Sequence, residues 1–510
     1  MPSTAGGIDL KLLLDKASDR VVGAECDSEF VNVLFSFLTM PLGAIISLFR
    51  KETKLGCMDE LYQSVEALDE WYFQNKAFKT MLLRPRSSSE FKSANPAAVA
   101  TSSDDYDILY ACYDKKCWLT TRFVSYYSNC PCPCCGRIMG RQLVMHSNPR
   151  SDLPLTKFVR LGGPKSSTGG VFTQGRKEFV VTDDLQIITF ATTERGTLSV
   201  LKRLGIKDGN FVVGRDIKIG SEEVLRLLKC SLRSHTALTD TFLASTPTAE
   251  IKLKSTGLKM PNSGSSTNQA NKGRRMMGKL VMNRSTKQVL YLEAREDLVN
   301  QILSFLTFPL GSVLKLLMGR SGSPLKMGSC VYNIYKAAKD LISKESDLFN
   351  SEESKTELLC PRLGCFAGCD DQLLTDHLVE ADSSQYYSVA SCSRCIYPWV
   401  YIIDTEPGLC RHGKKKVEMR PINPKYPSSN RGGGYLKIKT KYMITDDLSV
   451  QPISSTRVVL SLISKYKLSV DELEEQEISI GEDEAARMLR ASMTSKTVLT
   501  DVFVHPEKAK

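Results

Sequence analysis

The chain carries sixteen cysteines in 510 residues. Deprotonated, a cysteine is both a nucleophile and a metal ligand. Cys112-x4-Cys117 is followed, after fourteen intervening residues, by Cys132-x2-Cys135. The local run Cys132-Pro133-Cys134-Cys135-Gly136 has the form of a knuckle, in which proline and glycine turn the backbone so that two sulfurs face one cation. Later, Cys360-x4-Cys365 is followed after 26 residues by Cys392-x2-Cys395, whose inner residues Ser393 and Arg394 replace the proline-rich turn. Each set offers four sulfurs, the number structural zinc takes in tetrahedral geometry. The expected ligands of Zn2+ are therefore Cys112, Cys117, Cys132 and Cys135, and Cys360, Cys365, Cys392 and Cys395. A closed site of this kind has no open position for a substrate water, so it stabilises rather than catalyses. An iron–sulfur cluster uses the same ligand type but shows no family spacing here. A redox role for Cys132 and Cys135 lacks the βαβ context it needs.

Other chemistry finds less support. The five histidines, His146, His235, His377, His412 and His505, do not recur at matching positions, which argues against a triad common to both halves. No G-x-x-x-x-G-K-[ST] loop occurs. Carboxylates do recur, as Glu25/Glu293, Asp183/Asp446, Asp184/Asp447 and Asp240/Asp501. Within Thr182-Asp183-Asp184-Leu185 and Thr445-Asp446-Asp447-Leu448 they read as turns, because Asp and Thr side chains bond nearby backbone N–H groups.

The elements that position these residues come from a repeat. Leu12–Ile46 aligns without gaps on Leu280–Leu314, with 12 identities in 35 pairs, and the clearest block is Ser-Phe-Leu-Thr-x-Pro-Leu-Gly at 36–43 and 304–311. The Thr-Asp-Asp-Leu block and a closing Leu-Thr-Asp-x-Phe (238–242, 499–503) follow in the same order. The expectation is a tandem duplication of one α+β unit: residues 1–243 as the first copy with a low-complexity insertion at 84–105, 244–278 as a flexible basic linker, and 279–510 as the second copy. Each copy is expected to carry a zinc-ribbon-like cysteine knuckle. Strands are expected at 10–14, 21–25, 179–181, 186–190 and 211–219. Helices are expected from about Glu29, from Pro41, over 58–73, over 197–204 and over 221–231. Pro41 suits a first helical turn, where its missing N–H would be unpaired anyway. Phe30–Phe49 is uncharged over twenty residues, long enough to span a bilayer. Its Asn, Ser, Thr, Pro and Gly content reads instead as two short buried helices, so no membrane span is expected.

Composition is that of a globular protein, with 42% hydrophobic and 25% charged residues. The net charge of +11 is concentrated in 137–177, 244–279 and 411–441, leaving the remainder acidic. Such loops can meet phosphate, although few aromatic residues interleave them for base stacking. The thiols and the lack of a secretory leader point to a cytoplasmic or nuclear protein.

The repeated Ser-Phe-Leu-Thr-x-Pro-Leu-Gly, the Thr-Asp-Asp-Leu turn, the Cys-Pro-x-Cys-Gly knuckle and the closing Leu-Thr-Asp-x-Phe together resemble the plant domain-of-unknown-function family 674, over about residues 8–504. The resemblance implies a land-plant protein with tandem architecture and no established activity, so no catalytic residues are carried over. Three functions remain open: a non-enzymatic, zinc-stabilised interaction module with an unknown protein partner; nucleic-acid binding through 137–177 and 411–441; and an enzyme of unknown class with a site between the copies.

Overall fold

The computed structural model describes residues 7–88, 108–145, 172–173, 177–189, 197–206, 211–243, 274–321, 329–369, 372–374, 378–382, 386–388, 401–404, 407–410, 412–425, 433–438, 440 and 441–505. The first half runs β1 (Ile8–Asp15), β2 (Arg20–Cys26), α1 (Ser28–Leu38), α2 (Leu42–Leu48), α3 (Met58–Ala67) and α4 (Lys76–Leu83). It continues through β3 (Ile108–Cys112), α5 (Lys115–Thr121), β4 (Phe123–Ser125), β5 (Cys130–Pro131) and β6 (Ile138–Met145). It closes with β7 (Phe179–Thr182), β8 (Ile187–Thr189), α6 (Thr197–Arg203), β9 (Val212–Ile219), α7 (Ser221–Arg233) and α8 (Ala237–Phe242). The second half runs β10 (Met276–Asn283), β11 (Val289–Ala294), α9 (Glu296–Ser304), α10 (Leu310–Ser321), α11 (Ser329–Lys344) and α12 (Glu352–Leu359). It continues through β12 (Tyr386–Ser388), β13 (Tyr401–Asp404), β14 (Val417–Pro421), β15 (Tyr442–Thr445), β16 (Val450–Pro452), α13 (Thr456–Lys465), β17 (Leu473–Ile480) and α14 (Glu482–Thr494). The α+β class is as expected.

Two five-stranded antiparallel sheets have the same order, β8-β7-β2-β1-β9 and β16-β15-β11-β10-β17. In each, alternation of apolar residues buries one face against the helices, as a strand's two-residue period requires. The other face is covered by a single helix. Val200 and Leu204 of the α6 region meet Val180 and Ile188, and Leu462 and Ile463 of α13 meet Leu290 and Met443. Asp27 caps α1, its carboxylate accepting from Glu29 N at 2.9 Å.

The main hydrophobic core runs through both halves. The repeated motif lies at its centre. Pro41 and Pro309 form an antiparallel bridge. Proline has no N–H, so the following leucines make the bonds: Leu42 N donates to Phe308 O at 3.0 Å and Leu310 N to Met40 O at 2.9 Å. Close approach here requires glycine, since a Cβ on Gly43 would sit 2.8 Å from Leu82 O and 2.9 Å from Leu306 O. The bridge also holds Pro41 extended (φ −66°, ψ 145°), so it is the cap of α2 rather than a residue of its first turn. The uncharged stretch 30–49 is thereby broken into α1 and α2, and no helix among the described residues is long and apolar enough to cross a membrane.

Helices are exchanged across the joint. α3 packs against β16, while α11 packs against α1, α7 and β8. Expected as one helix over 58–73, α3 stops at Ala67 because Asp69 starts a separate turn, accepting from Trp71 N at 2.8 Å. A third sheet is built from both halves in the order β13-β12-β14-β4-β3-β6-β5. Parallel pairing of β14 with β4 and of β13 with β6 closes six of its strands into a ring, three from each half. The second sheet begins at Met276, inside the segment expected as linker, and the rest of that segment up to 273 lies outside the described residues.

Candidate metal centre

The four sulfurs of Cys112, Cys117, Cys132 and Cys135 converge, all within 4.8 Å of one another. Cys112 ends β3, where a register shift between Ala111 and Cys112 turns it out of the regular ladder opposite Met139. Cys117 lies in the first turn of α5. Asp114 organises that turn, its Oδ1 accepting from Lys116 N at 2.9 Å and Cys117 N at 3.3 Å, the usual chemistry of an N-terminal cap. Cys132 and Cys135 occupy the connection between β5 and β6. Cys132 N donates to Arg137 O and Gly136 N to Cys132 O, both at 2.8 Å, so the loop folds back on itself. Gly136 has φ +71°, a left-handed conformation that glycine adopts without strain.

The shortest approaches are 3.4 Å between Cys112 Sγ and Cys135 Sγ and 3.3 Å between Cys117 Sγ and Cys132 Sγ. These exceed a disulfide bond by more than 1 Å, and all four cysteines are free thiols. A tetrahedron with Zn–S bonds of about 2.3 Å has edges of about 3.8 Å. The observed spacings bracket that value, so the donor set and its dimensions fit one tetrahedral ion. Cys112, Cys117 and Cys132 are buried and Cys135 is exposed. Burial pushes the Cys112 thiol up to about 11 and the Cys117 thiol well above its ordinary range, while the backbone N–H of Arg137 lowers that of Cys135. A bound cation would reverse the burial penalty by giving the thiolates a counter-charge. Arg137 pairs with Asp114 at 3.7 Å, joining the knuckle to the α5 turn on the exposed side.

The second cysteine set is placed differently. Cys360 follows α12 directly and caps it, its N donating to Thr356 O. In the first half the matching cap of α4 is Arg84, not Cys112. Cys365 is a half-buried thiol raised to about 12 by burial. Cys392 and Cys395 lie outside the described residues. Among those described, the first quartet is the group of three or more potential ligands that converges.

Of the repeated carboxylates, Asp183 and Asp446 dock helices, while Glu25 and Glu293 pair with Lys11 and Lys441. Asp183 accepts from Thr239 N and Thr239 Oγ1, each at 2.8 Å, and Asp446 from Thr500 N at 2.9 Å and Thr500 Oγ1 at 2.6 Å. Asp184 and Asp447 accept from the Thr182 and Thr445 hydroxyls within their own turns. Leu185 and Leu448 complete the turns with φ +61° and +60°. His235, His412 and His505 are exposed, and His146 and His377 lie outside the described residues.

Two positions escaped the sequence reading. Asn32 and Asn300, related by the same 268-residue offset as the repeated motif, are buried in α1 and α9. Asn32 Oδ1 accepts from Phe172 N and Thr173 N, and Asn300 Oδ1 from Tyr435 N and Leu436 N. Their identity in the aligned segments was the available signal. Arg84–Ser88, expected to open a low-complexity insertion, is also ordered structure. Arg84 caps α4, and Ser87 bridges Leu363 and donates to Thr39 O.

Fold and site together define an α+β protein with a four-cysteine cluster able to hold a metal ion. The chain belongs to the family described as "Protein of unknown function (DUF674)", whose model matches residues 5–483. No curated protein and no solved structure matches it.

Proposed function

We propose that this chain is a non-enzymatic interaction protein whose shared strand ring is stabilised by structural zinc at Cys112, Cys117, Cys132 and Cys135. The observation that carries the reading is the convergence of four sulfurs into a closed donor set. Four thiolates complete zinc's coordination and leave no place for a reacting group. The ion would join β3, α5 and the β5–β6 hairpin, and with them the ring strands β3 and β6. The repeated Asp183, Asp184, Asp446 and Asp447, engaged with backbone and threonine, do not compete as an acid–base site. An outward surface for a partner is offered by α6 and α13, where Leu198 and Leu460, at matching positions on the two helices, are 70% and 55% exposed.

Nucleic-acid binding draws on fewer free charges than the sequence offered. Arg137, Lys177, Lys425 and Lys441 pair with Asp114, Glu345, Glu380 and Glu293, and Lys437 lies over Trp71.

The test is elemental analysis of full chain purified without a metal-binding tag, with a thiol count under denaturing conditions. One zinc per chain, lost in Cys117→Ser, is expected. Two would add the second quartet. None, with all thiols free, overturns the reading.

A further inference from the structure

The spacing of the four thiols suggests one pairing, and the fold makes another. In sequence the neighbours are Cys112-x4-Cys117 and Cys132-x2-Cys135. In space the closest sulfurs come from different motifs: Cys112 Sγ lies 3.4 Å from Cys135 Sγ, and Cys117 Sγ 3.3 Å from Cys132 Sγ. The crossing follows from the elements. β3 and α5 deliver Cys112 and Cys117, and the connection between β5 and β6 delivers the other two.

The two contacts differ in access. Cys112, Cys117 and Cys132 are 2%, 5% and 2% exposed, so the Cys117–Cys132 contact is closed to solvent. Cys135 is exposed. The backbone beside it is open as well, since a Cβ on Gly136 would meet nothing within 4 Å. Cys134, the third thiol of the knuckle, is also exposed and hydrogen-bonds with Cys117, but it is not one of the four converging sulfurs. Oxidation of thiols follows their exposure and thiolate character, and a metal-bound sulfur is a thiolate. Cys135 is thus the ligand a soluble oxidant reaches first, with Cys112 as the nearest sulfur to answer it.

We propose that the cluster is a site of reversible oxidation by a hydroperoxide, in which Cys135 is the thiol oxidised and Cys112 the thiol that resolves it. Cys135 Sγ attacks one peroxide oxygen and the O–O bond breaks. With hydrogen peroxide this leaves a sulfenic acid on Cys135 and one water. Cys112 Sγ then attacks the Cys135 sulfur, the S–OH bond breaks, and a disulfide and a second water are formed. The two sulfurs give up two electrons, the peroxide accepts them, and two protons from the thiols or from solvent complete the waters. The contact has to close by about 1.4 Å to reach disulfide length. Only Cys117 and Cys132 would then be left as ligands, too few for a structural zinc site. The disulfide keeps β3 fastened to the knuckle, while α5 loses its tie to it. Release of the ion rests on the zinc reading above; the thiol pairing does not.

The experiment adds hydrogen peroxide, first stoichiometric and then in excess, to full chain purified without a metal-binding tag and of measured zinc content. Remaining thiols are alkylated, disulfides are mapped by peptide mass spectrometry, and released zinc is read with a colorimetric chelator. The first disulfide is expected to join Cys112 to Cys135, with one zinc released per disulfide. Hydrogen exchange over 115–121 should quicken, and dithiothreitol with added zinc should reverse all three changes. Cys134→Ser, which removes no proposed ligand, should give the same product. A first disulfide within either motif or through Cys134, four intact thiols in excess peroxide, or zinc retained after Cys112–Cys135 has formed overturns the proposal. Any of these in a zinc-loaded chain leaves the metal reading standing. A chain purified without zinc refutes the metal reading instead, and the same mapping on it still decides the pairing.

Discussion

Asn300→Ala should be among the most damaging single substitutions outside the metal site. The side chain is 5% exposed, and its Oδ1 accepts from Tyr435 N at 3.1 Å and Leu436 N at 3.0 Å. The other edge of that segment is already committed to the first half: Gln74 N donates to Tyr435 O and Lys437 N to Tyr72 O, both at 2.9 Å. The two N–H groups therefore have no alternative backbone partner on that side. Each buried donor left without an acceptor costs about 1–3 kcal/mol, so the expected loss is about 2–6 kcal/mol. That is a large part of the roughly 5–15 kcal/mol that holds a domain folded. Asn32→Ala removes the matching pair, Phe172 N and Thr173 N, plus the amide's own donations to Ser28 O and Thr173 Oγ1, and should cost at least as much. Urea unfolding followed by tryptophan fluorescence and far-ultraviolet dichroism gives the global value where the two transitions coincide. Hydrogen exchange in a peptide spanning 433–438 gives the local one. A loss below about 0.5 kcal/mol, the range of an indifferent surface substitution, with protection at 435–436 unchanged, would refute the reasoning.

Other outcomes follow from the same geometry. Cys117→Ser should abolish metal retention and lower the melting temperature, whereas Gly136→Ala, whose added Cβ meets nothing within 4 Å, should cost only about 1 kcal/mol of left-handed strain and keep the metal. Gly43→Ala forces a methyl against two backbone carbonyls at the joint and should cost about 2 kcal/mol or more, seen as a lower urea midpoint. Burial raises the carboxyls of Asp446 and Asp183 above their ordinary range. A raised carboxyl favours the protonated form in the fold, so its contribution is full below the unfolded value and lost as pH rises through the folded one. Wild type should therefore gain stability relative to Asp446→Asn as pH falls through that window, with a constant difference above it. A constant difference throughout would show that Asp446 titrates alike in both states.

Local patterning made much of this fold readable. The strand at 10–14 and the helix from Glu29 rest on alternation, spacing and the Asp27 cap, all written in neighbouring residues. The first cysteine quartet was legible for the same reason, because two short spacings each fix a pair of sulfurs. What was not legible depends on distant partners. Nothing near Pro41 says that its carbonyl neighbours will bond across to 308–310, or that this will hold it outside its helix. In sequence Arg84 and Arg86 merge with the polar run that follows them, since the tyrosines and the α4 end that place them come from other elements. The second cysteine set shows the limit of spacing: Cys360-x4-Cys365 has the spacing of Cys112-x4-Cys117, yet Cys360 occupies the helix-capping place of Arg84. Equal spacing aligned residues that the fold does not.

The position of the thiol cluster matters more than its stability alone. β3 and β6 are neighbours in a sheet whose opposite wall, β12–β14, comes from the other half. The strands β4 and β5 are only three and two residues long, too short to hold a register by backbone pairing alone. A metal bridging Cys112 on β3, Cys117 on α5 and the β5–β6 knuckle would fix those pieces relative to one another before β13 and β14 add to them in parallel. Parallel addition offers no hairpin to set its register, so the edges it meets must already be rigid. On this argument one ion, bound entirely by the first half, orders a ring to which both halves contribute. Its removal should expose β13 and β14 to exchange as readily as the cysteine-bearing strands themselves.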